Sequence, residues 1–253
     1  MKATTNKVIL FDIYQTLIDI DVSAENKKRN NIRAWEKFAE SLDKYSAHTT
    51  SSELLELSDR RKAIFYIGKD KNIRHHNFCE IMTKVLNDDL GLNIPQDKVC
   101  SLIYEYHKTA RGFARLYPQV YETLAQLSEK YILLTASYTQ RCFTQPELEE
   151  LGIEKFFSHF VYTSDVGFHK QSPRFYQQCL EIVDKSANDC VMIGDNYDVD
   201  VLVPQNLGMK TIWVKNPITV NQYHDLVSKG PKGYIIDIEE FARLPEVVRK
   251  IFA

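Results

Sequence analysis

The chain reads as an α/β protein: a doubly wound parallel sheet with an inserted unit of α-helices. Three observations predict this. Strand-length apolar runs recur with helical stretches between them, and the strongest, Val8-Ile9-Leu10-Phe11, is apolar at every position, as a strand covered on both faces must be. Between Leu17 and Phe113, about ninety residues carry helical periodicity instead. The expected strands are Lys7–Asp12, Tyr131–Thr135, His159–Tyr162, Cys190–Ile193, Thr211–Val214 and a last one at Tyr234–Ile236. Residues 1–19 and 113–253 are expected to build the sheet domain, and 20–112 the helical unit.

Within the helical unit, Ile32, Trp35, Phe38 and Leu42 recur at helical spacing. Leu54, Leu55 and Leu57 mark a second helix, Phe78, Ile81, Met82, Val85 and Leu86 a third, and Val99, Leu102, Ile103 and Tyr106 the last. These stripes read as core. The chain should pass between the two parts near Asp19–Ser23 and Arg111–Leu116, with Gly112 as a hinge residue. His75 and His76 are adjacent on an expected helix, where consecutive side chains diverge, so they read as surface or packing residues. Further on, Ser172 followed by Pro173 marks a helix start.

Composition excludes several classes. With 253 residues, 44% apolar content and a net charge of -2, the chain is an ordinary globular protein with no polyanionic partner implied. The short run Lys27-Lys28-Arg29 has no aromatic interleaving and reads as a solvated helix face, so no nucleic-acid binding is expected. No apolar stretch reaches the roughly 18 residues of a membrane span, and polar Thr4-Thr5-Asn6 precedes the first strand, so a cytoplasmic protein without membrane contact is expected. Cys79, Cys100, Cys142, Cys179 and Cys190 are odd in number and scattered, which argues for reduced thiols and against a disulfide framework or a zinc site.

Candidate chemistry lies at the ends of the apolar runs, because in open α/β sheets ligands bind outside the carboxyl ends of the strands. The first run ends at Asp12, with Thr16 four residues later; the second, from Tyr131, ends in Thr135-Ala136-Ser137. Lys170 stands just before the helix that begins at Ser172. A fourth run ends at Gly194-Asp195 and is followed by Asp198 and Asp200; clustered carboxylates need a cation or raised pKa values.

These four segments, in this order and spacing, resemble the haloacid dehalogenase superfamily, with a nucleophilic Asp, a Ser or Thr, a Lys and an acidic pair. The resemblance extends to Tyr117–Leu124 and Asn206–Val214, covering about residues 7–20 and 113–215. It implies that Asp12 attacks the substrate, Thr135 holds the transferred group and Lys170 steadies the charge. Thr16, Tyr14 and Ala136 become candidate substrate contacts; Asp12, the Tyr14 carbonyl, Asp195 and Asp200 become candidate Mg²⁺ ligands, with Asp198 worth testing beside Asp200. It also implies that residues 20–112 form a helical cap that closes over the nucleophile and selects substrates. Arg29, Arg33, Arg60, Arg61 and Arg74 could contact anions from the cap, but none is assigned.

One residue departs from the phosphatase pattern of that superfamily. Tyr14 stands where a second Asp usually protonates the leaving group and activates water, a contribution worth about 10²–10⁴-fold. Asp-x-Tyr is also the pattern of the 2-haloacid dehalogenases, whose halide leaves without a proton. Gln15, where those enzymes usually have Gly, and the Gly194-Asp195 pair, which they lack, point back to a metal-dependent phosphohydrolase. The expectation is a phosphohydrolase of a small phosphorylated molecule, monomeric or homodimeric, with a dehalogenase and a binding-only protein as alternatives.

Overall fold

The structure is a computed structural model that describes residues 5–21, 23–220 and 233–253, so Thr4 and Val22 of the segments named above lie outside the described residues. Its strands are β1 (Val8–Phe11), β2 (Ile18–Ile20), β3 (Ala114–Leu116), β4 (Ile132–Ser137), β5 (His159–Tyr162), β6 (Cys190–Gly194), β7 (Lys210–Lys215) and β8 (Tyr234–Asp237). Six of them form one sheet in the order β5-β4-β1-β6-β7-β8, every neighbour parallel. The chain runs outward from β1 through β4 to β5, then crosses back to β6 on the other side of β1. That reversal opens a crevice at the carboxyl ends of β1, β4 and β6.

The apolar run of β1 follows from its central place. Ile9 and Phe11 pack on one face among Val120, Leu124, Phe157 and Val248, while Val8 and Leu10 pack on the other among Phe175, Tyr176, Cys179 and Met209. All four strand residues are fully buried. Each such side chain contributes roughly 1.5–3 kcal/mol relative to exposure, so a charge at Leu10 would break the sheet at its middle.

Between β2 and β3 lie four helices, α1 (Ala24–Ser41), α2 (Ser51–Phe65), α3 (Phe78–Lys84) and α4 (Gln96–Arg111). They enclose a separate core around Trp35, Phe38, Leu54, Met82, Val85 and Ile103. Two starts are capped by side chains: Thr50 accepts from the Glu53 N–H and Asn77 from the Glu80 N–H. The sheet half carries α5 (Val120–Ser128), α6 (Arg141–Glu150), α7 (Thr163–Val166) and α8 (Pro173–Val183), the last with Ser172 at its N-cap and Pro173 in its first turn. Among the described residues no helix is long and apolar enough to cross a membrane.

At the two crossings β2 and β3 pair antiparallel, and Arg115 holds Asp19 at 2.7 Å, with Gly112 turning the chain at φ +73°. Three sequence expectations need correction. Ile32 and Leu55 lie outside the helical core, at 53% and 39% exposure, because helical spacing gives the direction of an apolar stripe but not the width that neighbouring helices cover. Cys79 and Cys100 form a disulfide; packing of α3 on α4 brings Cα atoms 21 positions apart in sequence to 5.8 Å, an ordinary bridging distance. The three other cysteines are free and buried. His75 and His76 precede α3 in an extended segment, and His75 is buried, its Nδ1 2.7 Å from the Thr163 hydroxyl.

Candidate active site

Asp12 immediately follows β1, and its N–H still donates to the Ile193 carbonyl at 2.9 Å, so the backbone is gripped by the sheet as the carboxylate emerges at its edge. The side chain is nearly buried, at 7% exposure. Lys170 Nζ lies 2.9 Å from Asp12 Oδ1 and also pairs with Asp200 Oδ1. The Thr16 hydroxyl, one turn on from Asp12, reaches Asp195 Oδ1 at 3.2 Å and Asp12 Oδ2 at 3.4 Å.

Asp195 and Asp200 come from the end of β6 and from the wide, π-helical turn Tyr197–Leu202 that follows it. Asn196 starts that turn, its side chain accepting from the Val199 N–H and its backbone N–H donating to Asp200 Oδ2 at 3.2 Å. From α8, the Tyr176 hydroxyl is 3.2 Å from Asp200 Oδ1. Gly194 explains why the pair begins with glycine: a Cβ there would stand 2.5 Å from Asp200 Cγ, a collision with no room to relax. Asp198 points outward and is exposed, so Asp200 joins the cluster and Asp198 does not.

Ligand atoms of Asp12, Asp195 and Asp200 all lie within 4.8 Å of one another, and all three residues are buried. Burial and the neighbouring charges of Asp12 and Asp200 push the Asp195 pKa up; burial also raises that of Asp200, against the pull of Lys170. Burial alone would depress Lys170, but Asp12 and Asp200 hold it above its ordinary value, so it stays charged. Among the described residues, three carboxylates facing one ammonium leave an excess of negative charge inside the protein. Hard oxygen ligands at this spacing suit a small divalent cation.

The other candidates fall in different places. Thr135 is buried in β4 with its hydroxyl oxygen accepting from the Val161 N–H at 3.2 Å, which ties β4 to β5; Ala136 follows it, also buried. Tyr14 turns away from the aspartates. Its hydroxyl donates to Glu147 Oε2 at 2.7 Å and lies 3.3 Å from Thr144 Oγ1 and 3.4 Å from His107 Nε2. Arg111 Nε pairs with Glu147 Oε1. Burial and then Glu147 raise the Tyr14 pKa well above the usual phenol value. Burial would raise Glu147, but hydrogen bonds from His107 and Tyr14 and the charge of Arg111 bring it down, so it is ionised. Sequence reasoning missed this second cluster. The available signal was the pairing of Thr144 with Glu147 on one face of α6 and of His107 with Arg111 on one face of α4.

Gln15, between the two clusters, adopts φ +63°, a conformation glycine takes without strain. It is held there from outside: Tyr117 donates to its side-chain oxygen at 2.7 Å and Asn216 to its carbonyl at 2.8 Å.

Comparison with known proteins gives consistent matches. The family model described as haloacid dehalogenase-like hydrolase matches residues 6–208. The chain is 26% identical to the glyceraldehyde 3-phosphate phosphatase of Methanopyrus kandleri over 97% of its own length and 98% of the relative's. It is 28% identical to the protein of the same name from Pyrococcus abyssi, over 83% and 81%. Among solved structures, the 2-haloacid dehalogenase of Pseudomonas syringae pv. Tomato superposes with a TM-score of 0.59 over 98% and 99% of the two chains, at 19% identity, a likeness of fold.

Proposed function

The chain belongs to the haloacid dehalogenase-like hydrolases, and on that premise we propose that it is a Mg²⁺-dependent phosphohydrolase of a small phosphorylated metabolite, with Asp12 as its nucleophile. The observation that carries this reading is the convergence of Asp12, Asp195 and Asp200, all buried, around a single lysine. A dehalogenase needs a reactive Asp12 and gains nothing from two more buried acids that repel it. Relatives covering 97% and 83% of the chain are named as phosphatases, which supports the same reading.

In this mechanism an Asp12 carboxylate oxygen attacks phosphorus, the bond to the leaving oxygen breaks, and an aspartyl-phosphate forms. Lys170 orients Asp12 and balances charge on the transferring group, while Thr135 and the backbone around Ala136 border it. Thr16 steadies Asp12 and Asp195. Asp12, Asp195, Asp200 and the Tyr14 carbonyl would hold Mg²⁺, which, when bound, offsets negative charge on the phosphoryl oxygens. Water then cleaves the aspartyl-phosphate and returns the carboxylate. Tyr14, protonated and engaged by Glu147, is a poor proton donor, so esters with good leaving groups should be cleaved fastest. In the same reading, α1–α4 form a cap over the site, residues 20–112, that excludes water and selects the leaving group.

The test is release of phosphate from p-nitrophenyl phosphate and of chloride from 2-chloropropionate, each with Mg²⁺ and with chelator, beside Asp12→Asn. Phosphate release that requires both Mg²⁺ and Asp12 is expected. Chelator-resistant chloride release would establish a dehalogenase instead, and silence on both would leave a binding protein.

A further inference from the structure

A cavity of about 550 Å³ opens between the helical unit and the sheet edge. Trp35, Phe78 and Tyr106 line it from the helices, and Tyr138, Phe143 and His75 from the other sides. The loops that build the candidate active site run directly into its wall. Tyr14 lies two residues beyond Asp12, Tyr138 follows the end of β4, and His169, next to Lys170, packs its ring 4.9 Å from those of both Tyr138 and His75. A molecule held by its phosphate at Asp12 would therefore extend its remaining part into this space.

The wall has a distinct chemistry. Trp35 and Tyr106 are 4.9 Å apart, the His107 ring lies flat on Phe143 at 4.4 Å, and His75 lies flat on Tyr138 at 4.7 Å. Tyr138 nevertheless leaves 49% of its surface exposed. Among the described lining residues Lys62 is the only lysine or arginine, and it is 3.2 Å from Asp59; none is a carboxylate. Several polar side chains are occupied: Gln140 binds the Phe78 N–H and the His76 carbonyl, and Asn31 accepts from Tyr106. Burial holds His75 and His76 neutral near pH 7, with pKa values lowered to about 3 and about 4. Such a wall offers ring faces, little charge and few free hydrogen bonds.

Resting on the phosphohydrolase reading, we propose that this cavity selects a phosphate monoester whose alcohol carries a planar aromatic or heteroaromatic ring, stacked between Tyr138, Phe143 and Tyr106, with Trp35 backing Tyr106. Pockets of about 300–1,000 Å³ hold ligands of that size. A triose phosphate would leave most of the space unfilled and would meet aromatic faces where its hydroxyls need partners. A ring-bearing substrate would differ from the one in the names of the relatives.

The experiment compares esters that differ in the ring. With Mg²⁺ present, kcat/KM is measured for adenosine 5′-monophosphate and pyridoxal 5′-phosphate against ribose 5-phosphate and glycerol 3-phosphate, with p-nitrophenyl phosphate as control. At least one ring-bearing ester should be preferred by about 10-fold or more, chiefly through KM, as expected for aromatic stacking. Tyr138→Ala, at an exposed position where folding is not at risk, and Phe143→Ala should each shrink that preference. Equal or better turnover of ribose 5-phosphate or glycerol 3-phosphate would overturn the proposal. Calorimetric titration of Asp12→Asn with the same four compounds separates the two readings. If nothing is hydrolysed, p-nitrophenyl phosphate included, the phosphohydrolase reading fails, and tighter binding of the ring-bearing compounds still decides the cavity's role.

Discussion

Asp12 and Tyr14 are two residues apart, yet their side chains enter two different buried charge clusters. Around Tyr14 the charges cancel: one carboxylate, Glu147, meets one guanidinium, Arg111, while a protonated phenol and an imidazole complete the hydrogen bonding. Around Asp12 they do not, since among the described residues Asp12, Asp195 and Asp200 face the one lysine Lys170. A balanced cluster is a finished piece of structure, and here it ties α4 of the helical unit to α6 of the sheet half. An unbalanced one is stable only with something added from outside, a proton or a cation. On the proposed reading, this contrast separates a structural polar site from a chemical one on the same short loop.

Replacing one member of each cluster should give opposite kinds of damage. Asp12→Asn is expected to lower phosphate release by more than about 10³-fold, as loss of a nucleophile does, while leaving the melting temperature near that of the parent; retained turnover would remove Asp12 from the chemistry. Glu147→Gln leaves Arg111 buried without its partner, and removing one member of such a pair costs about 3–5 kcal/mol, so urea unfolding should show a large loss of stability. Unchanged urea midpoints would mean that Arg111 finds water or another partner.

The unbalanced cluster should behave in the reverse sense. Without metal, Asp195→Asn is expected to raise the melting temperature by removing a buried acid that Asp12 and Asp200 repel, and, on the phosphohydrolase reading, to abolish stabilisation by added Mg²⁺. Its pH dependence has a definite sign. Asp195 is raised in the folded protein above its unfolded value of about 4, so the wild-type penalty is absent below about pH 4 and grows as pH rises. The advantage of Asp195→Asn should therefore be absent near pH 4 and grow to its maximum above about pH 8, to which the folded-state value is pushed. An advantage independent of pH would point to packing and away from charge.

The smallest effect is expected at Tyr14→Phe. It removes one hydrogen bond to Glu147, worth about 1–3 kcal/mol when the acceptor is charged, and should change turnover of p-nitrophenyl phosphate by less than a few-fold. A large kinetic loss would give Tyr14 a direct chemical role and break the distinction between the two clusters.

Much of the fold was legible because its signals are local. Runs such as Val8–Phe11 and Cys190–Gly194 are apolar at every position because they are covered on both faces, and their short length marks them as strands. Asp12, Asp195 and Lys170 stood out by their places at run ends and before a helix. What stayed hidden depends on partners distant in sequence. Nothing near Tyr14 announces Glu147, 133 positions away, nor does Cys79 announce Cys100 without a knowledge of how α3 meets α4.

By itself, then, the sequence determined the parallel α/β sheet, the run of helices between Leu17 and Phe113, and the acids that end β1 and β6, since periodicity and run length are written along the chain. Only the tertiary structure decided that Asp200 turns in while Asp198 faces solvent, that Tyr14 turns from the aspartates to Glu147, and that side chains of the helical unit and of the sheet edge line one open aromatic cavity. Those outcomes turn on which side chains from remote segments share one buried space, where unbalanced charge and unfilled volume are costly, and no local pattern encodes that.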